Sequence, residues 1–282
     1  MKMLLTGSSG QLCKAFIRTC ELQGLPYSAP PQSDLDITNP QQVAKCLDAS
    51  NPDILVNTAA YNHVDRAETC AEKARAVNAY AVAAMAEETR KRGIRFVHFS
   101  SDYVFDGTAR RPYQETDIPN PINVYGQSKR KGEQAALSHA PETLILRISW
   151  VYGNGSQNFF HKLDKWSAQR DQIDVVWDQI STPTYTEDVV DLTLVALKQG
   201  LTGIWHAPNG GYASRYEVAR AYLARRKPAT IVLPINTDAF PSPAQRPFFS
   251  ALSNQALSQT LDFDIPSWQD ALSRYCDDQE KQ

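Results

Sequence analysis

Along the first half of the chain, short unbroken apolar runs alternate with longer stretches whose apolar residues recur every three or four positions. The runs at residues 2–5, 53–57, 96–100 and 144–148 are rich in β-branched and large apolar side chains, and each ends in a turn or a polar cluster. Such runs predict strands buried on both faces of a parallel sheet. Residues 25–29 predict a weaker strand of the same kind, second in chain order. Helical spacing fills the gaps at 11–23, 40–49, 70–92 and 124–137, and Asn39-Pro40 reads as an N-cap followed by proline at the first helical position. Strand–helix alternation of this kind requires a sheet covered by helices on both sides.

After Trp150 the pattern changes. Helical segments at 159–168, 186–198 and 214–224 are separated by short strands near 173–177, 204–206 and 231–234, and many of the prolines lie in the last third. Neither a low-complexity linker nor an internal repeat separates the halves. The expectation is an α/β protein with a doubly wound parallel sheet in residues 1–150. Residues 151–282 would form a smaller, interleaved lobe that returns some segments to the core.

Between the first strand and the first helix stands Gly7-Ser8-Ser9-Gly10-Gln11-Leu12-Cys13. Glycines at this point let the backbone turn sharply and approach a pyrophosphate, while the helix N-terminus offers unpaired N–H groups and its positive dipole end. The placement is that of a Rossmann dinucleotide site, with Cys13 where a third small residue would allow the closest packing. The region after the second strand reads Ala29-Pro30-Pro31-Gln32-Ser33, with no carboxylate before Asp34 to grip ribose hydroxyls and no Lys or Arg. The missing acid favours NADPH as cofactor, with NADH as the alternative.

The second chemical signature lies between Ser100 and Lys129. A hydroxyl at Ser101 follows the fourth long strand, and Tyr125-Gly126-Gln127-Ser128-Lys129 follows a proline-rich loop. Residues four apart on a helix share a face, which sets Lys129 beside Tyr125. A phenol ordinarily titrates near pH ~10, and a neighbouring ammonium would lower that value. Hydroxyl, phenol and ammonium together can pass a proton to a carbonyl as a cofactor passes a hydride.

Composition narrows the field. The 282 residues carry a formal net charge of −2, which gives no basic face for nucleic acid. No apolar run approaches the roughly 20 residues of a membrane helix. The five cysteines are odd in number and scattered, as suits reduced thiols, and the N-terminus enters a strand-like run directly; both point to the cytoplasm. His63, His98, His139, His161 and His206 have no metal-ligand spacing, so no metal site is expected.

With these residues in place, the chain resembles the extended short-chain dehydrogenase/reductases, and within them the dTDP-4-dehydrorhamnose reductase family. The resemblance rests on Leu5-Thr6-Gly7-Ser8-Ser9-Gly10-Gln11-Leu12, Asp34-Leu35-Asp36-Ile37-Thr38, Asn57-Thr58-Ala59-Ala60-Tyr61 and Val64-Asp65-Arg66-Ala67-Glu68. It continues through Ser101-Asp102-Tyr103-Val104-Phe105-Asp106-Gly107, Asn123-Val124-Tyr125, Arg147-Ile148-Ser149-Trp150, Asp178-Gln179 and Gln245-Arg246-Pro247.

What the resemblance implies is a reductase for the C4 keto group of a nucleotide-linked 4-keto-6-deoxy sugar, forming dTDP-L-rhamnose. Ser101, Tyr125 and Lys129 would be catalytic, with Tyr125 and Lys129 also binding the cofactor, Lys129 at the nicotinamide ribose. Gly7, Ser9, Gly10, Gln11 and Leu12 would line the cofactor's pyrophosphate, Asp36 and Ile37 its adenine, and Ala59, Ala60 and Tyr61 its ribose and nicotinamide. Val64, Asp102, Tyr103 and Trp150 would shape the sugar site, and Arg246 would reach the nucleotide.

The sequence departs from the family at Phe248-Phe249-Ser250-Ala251, at Ile180-Ser181-Thr182, and at Ala15, where some members bind magnesium between subunits. A monomer or weak homodimer without bridging metal is therefore expected. Two alternatives remain at this stage: a ketoreductase for another nucleotide sugar or secondary metabolite, and a non-catalytic subunit resembling the regulatory subunit of methionine adenosyltransferase.

Overall fold

The computed structural model describes residues 1–155 and 158–280. Among them, six strands form one parallel sheet. Five are β1 (Met3–Thr6), β2 (Tyr27–Ser28), β3 (Ile54–Asn57), β4 (Arg95–Ser101) and β5 (Leu144–Ile148), and the sixth is the strand Gly203–His206. Their order across the sheet is Gly203–His206, β5, β4, β3, β1, β2. Every pairing is parallel. The weak run at 25–29 contributes only the two residues of β2, an edge strand bounded by Gly24 and by Pro30-Pro31.

Alternate residues of the strands point to opposite faces, and each face has its own helices. Met3, Leu5, Val56, Val97 and Phe99 pack against α1 (Gln11–Gln23) and the helix Thr186–Lys198. Leu4, Leu55, Phe96 and Ile145 pack on the other side against α2 (Pro40–Ser50), α5 (Ala81–Arg92) and α6 (Val124–His139). The Asn39 side chain accepts hydrogen bonds from Gln41 N and Gln42 N at 3.1 and 3.2 Å, with Pro40 opening α2.

The helical stretch expected at 70–92 begins earlier and is broken. It consists of α3 (Val64–Thr69), α4 (Ala71–Arg75), a π-helical turn at Ala76–Tyr80, and α5. The turn has a purpose visible in Asn78, which is buried. Its Oδ1 accepts from Tyr61 N at 2.8 Å, and its Nδ2 donates to Tyr61 O at 3.1 Å and Ser128 Oγ at 2.9 Å. A single amide thus ties the loop after β3 to α6.

Beyond Trp150, the strand Gln172–Val176 pairs in parallel with Ile231–Ile235. This lobe has its own core of rings: Tyr152 stands edge-on to Phe160 at 4.8 Å and to Tyr275 at 5.3 Å, and Phe160 lies 4.6 Å from Tyr222. Contacts of this type add about 0.5–1.5 kcal/mol each beyond the area they bury. Among the described residues, no helix is long and apolar enough to cross a membrane.

Candidate active site

A cleft of about 460 Å³ opens over the carboxyl ends of β1, β3, β4 and β5. This is where the strand order reverses direction from β1, the position at which open parallel sheets bind ligands. Ser9, Gly10, Gln11 and Leu12 form one part of its wall, and Thr58, Ala59 and Ala60 the next. Gly7 lies just behind them with φ +71°, and a Cβ there would stand 2.9 Å from the backbone N and Cα of Ala59. Only glycine accepts both the left-handed backbone and that approach. Gly10 is the N-cap of α1 and supplies no capping side chain. Cys13 is fully buried in the core behind the turn, and burial pushes its thiol up to about 11.

The three residues expected to be catalytic share the floor of this cleft. Ser101 ends β4; its Oγ accepts from Tyr103 N at 3.2 Å and donates to Asp102 Oδ1 at 3.0 Å. Tyr125 and Lys129 come from the first turns of α6, whose N-cap Asn123 accepts from Gly126 N at 2.8 Å. Gly126 lets the helix abut the Asp102–Val104 turn, because a Cβ at Gly126 would run into the Tyr103 carbonyl oxygen.

Lys129 Nζ donates to the Phe99 carbonyl at 2.6 Å. Burial lowers its ammonium to about 8, partly offset by the charge of Glu133. Tyr125 differs from the expectation of a depressed phenol. Burial raises it above its ordinary value, and a hydrogen bond with Ser101 only partly opposes that. Desolvation outweighs that hydrogen bond, and the neighbouring Asp102 charge adds to the rise.

The opposite wall comes from Asp102, Tyr103, Val64, Trp150, Gln179, Arg215 and Ser250. Asp102 is buried, and burial raises its carboxyl. Ser250 Oγ donates to Asp102 Oδ2 at 2.6 Å, joining residues 148 positions apart in the chain. Trp150 adopts φ +41°, a conformation that costs a bulky residue about 1–2 kcal/mol and that clusters at functional sites. The Arg215 guanidinium lies 4.9 Å over the Trp150 ring.

Other candidate residues lie outside the cleft wall. Asp36 turns its carboxylate to Thr38, with Oδ1 accepting from the backbone N and the hydroxyl at 2.9 and 2.7 Å. Ile37 is buried in the core on the α2 face. Tyr61 is buried beneath the cleft, where Val124 and Tyr125 pack in the same cluster. Arg246 is not one of the residues lining the cleft; its Nη2 donates to Asp65 Oδ2 at 2.7 Å. Arg215, Gln179, Ser250 and Asn78 were not among the site residues expected from sequence. Ser214-Arg215-Tyr216-Glu217 does spell a capping box, which the structure forms, but nothing local says that this helix start faces the cleft.

Residues 1–281 match the family model of the RmlD substrate binding domain. The chain is 34% identical to the dTDP-4-dehydrorhamnose reductase of Burkholderia thailandensis, over 96% of this chain and 97% of the relative. It is also 34% identical to a dTDP-4-keto-6-deoxy-D-glucose reductase of Streptomyces niveus, over 97% and 96%. The crystal structure of a dTDP-4-dehydrorhamnose reductase from Clostridium acetobutylicum superposes with a TM-score of 0.94 at 32% identity, covering 99% of this chain and all of that one. The Bacillus anthracis dTDP-4-dehydrorhamnose reductase in complex with NADP gives 0.93 at 32% identity, over 98% and 99%. With a parallel sheet, a glycine turn and a Ser–Tyr–Lys floor already in view, the chain belongs to the RmlD substrate-binding domain family of extended short-chain dehydrogenase/reductases.

Proposed function

We propose that this protein is an NADPH-dependent reductase that converts dTDP-4-dehydro-L-rhamnose to dTDP-L-rhamnose. The observation that carries the reading is the convergence of Ser101, Tyr125 and Lys129 on the floor of one cleft, between the glycine turn and the Asp102–Trp150 wall. Residues 1–150 would hold the cofactor, and residues 151–282 would mainly supply the substrate wall.

The dinucleotide fits the residues present. Gly7 and the uncapped Gly10 leave backbone where a phosphate would approach, and Gln11 keeps a buried Oε1 with no protein partner. The segment after β2, residues 29–33, carries no carboxylate to oppose a 2′-phosphate. When bound, the nicotinamide supplies the hydride.

The chain's own residues do the rest. Tyr125 carries its proton at neutral pH, as a phenol does without any shift, and it shares the cleft floor with Ser101, so it can donate that proton to the oxygen left at C4. Ser101 hydrogen-bonds the same oxygen and orients it. Lys129, fixed by Phe99, holds positive charge behind the site and stabilises the developing anion. Ala15 lies on the buried face of α1 and offers no metal ligand, which favours a monomer or weak homodimer without a bridging metal. The five free thiols suit the cytoplasm.

The test is isotopic. NADPH carrying deuterium at C4 of the nicotinamide, incubated with dTDP-4-dehydro-L-rhamnose, should place one deuterium at C4 of the sugar. Cofactor binding with no label in any dTDP-sugar would overturn the reading.

A further inference from the structure

Arg215 is a half-buried cation with no carboxylate partner among the described residues. Its Nε donates to the neutral Gln179 Oε1 at 3.2 Å. Its guanidinium lies over the rings of Trp150 and Phe159 at 4.9 and 5.9 Å. Its charge also pulls down the Tyr103 phenol, against the larger upward effect of burial. The fully buried Arg147 is matched with Glu133 at 2.7 Å, and the partly buried Arg246 and Arg274 with Asp65 at 2.7 Å and Asp188 at 2.8 Å; Arg95, also partly buried, lies outside the cleft and donates to the Leu197 carbonyl at 2.8 Å.

Local chemistry does not explain Arg215. It is the first residue of the helix Arg215–Arg226, the end at which a cation is disfavoured by the helix dipole. The Ser214–Glu217 capping box already satisfies that end. A charge held at a cost in a cleft wall, stacked on an indole and met by the neutral groups of Gln179 and Tyr103 rather than by a carboxylate, is arranged for an anion that arrives from outside.

Resting on the nucleotide-sugar reading above, we propose that Arg215 is the residue that binds the diphosphate of the substrate, and thereby sets specificity for a nucleoside-diphosphate carrier. The 4-keto-6-deoxy sugar is uncharged, so the diphosphate is the anionic part of such a substrate. Besides Arg215, the cations lining the cleft are Lys129 on the floor and Lys14 on α1 beyond the glycine turn. Arg246 does not compete for the role, because Asp65 and the Ala244 carbonyl hold its guanidinium at 2.7 and 3.3 Å.

The test is a ladder of ligands measured by equilibrium binding to protein saturated with NADP: thymidine, thymidine monophosphate and dTDP. In wild type, affinity should rise with each phosphate. In Arg215→Gln the gain from thymidine to dTDP should shrink by about 30-fold, as expected for loss of a charge-assisted contact. Thymidine affinity should stay within about twofold, and Arg215→Lys should recover part of the loss. If Arg215→Gln leaves the dTDP gain intact, or weakens all three ligands equally, the assignment is overturned while the nucleotide-sugar reading stands. If wild type binds none of dTDP, UDP and GDP, the nucleotide-sugar reading falls, and the assignment with it.

Discussion

The two walls of the cleft are built by different means. The cofactor wall rises directly from the sheet: strand, glycine turn and helix follow one another within ten residues, and Gly7 meets Ala59 because β1 and β3 are neighbours. The substrate wall is assembled from distant pieces. Ser250 reaches Asp102 across 148 positions and Arg246 reaches Asp65 across 181. The first wall is fixed by backbone geometry, the second by polar side chains that must find each other after the chain has folded. Substitutions on the cofactor side should therefore act through sterics, and those on the substrate side through hydrogen bonds and charge.

Among substitutions in the two walls, the largest effect should come from Gly7→Ala. The added methyl meets the Ala59 backbone, and φ +71° is costly for alanine. A rise in NADPH Kd of about 100-fold, or about 2.7 kcal/mol, is expected by titration. An unchanged Kd would break the view that this wall is set by backbone contact.

Next comes pH. Lys129 titrates at about 8 in the free protein, below its ordinary value because burial disfavours the charge. Its ammonium is present below that pH and lost above it, so kcat/KM should fall about tenfold per pH unit above ~8. Because the folded value is depressed, the fold carries the burial cost of the charge below pH ~8 and is relieved of it toward ~10. Lys129→Arg, which cannot lose its proton in this range, should abolish the alkaline limb even where overall activity is lower.

A smaller effect is expected at Ser250→Ala. It removes one of the donors that hold the buried Asp102 carboxylate, a loss of about 1–3 kcal/mol. We expect kcat/KM down by about tenfold, NADPH Kd unchanged, and a melting temperature lower by about 2–10 °C. A matching loss of NADPH affinity would show that the two walls are not independent.

The same contrast explains what was legible in the sequence. The long strands showed because each is a continuous apolar run, buried on both faces. Asn39 as an N-cap and Tyr125 with Lys129 on one helix are local facts, readable from a few residues. The π-helical turn at Ala76–Tyr80 was not, because its reason is Asn78 reaching Tyr61 and Ser128, respectively 17 and 50 positions away. The raised phenol of Tyr125 was missed for a related reason. Spacing brings an ammonium near, but only packing reveals how much water both groups have lost. Arg215 stood in a recognisable capping box, yet its function depends on a cleft whose other side lies at Tyr103 and Trp150.

The most direct test of the account is steady-state NADPH oxidation with dTDP-4-dehydro-L-rhamnose, comparing wild type with Tyr125→Phe. The account predicts turnover by the wild type, a fall in kcat of about 1,000-fold in the mutant, and NADPH affinity preserved in both. Wild-type turnover that survives in Tyr125→Phe would contradict Tyr125 as the proton donor.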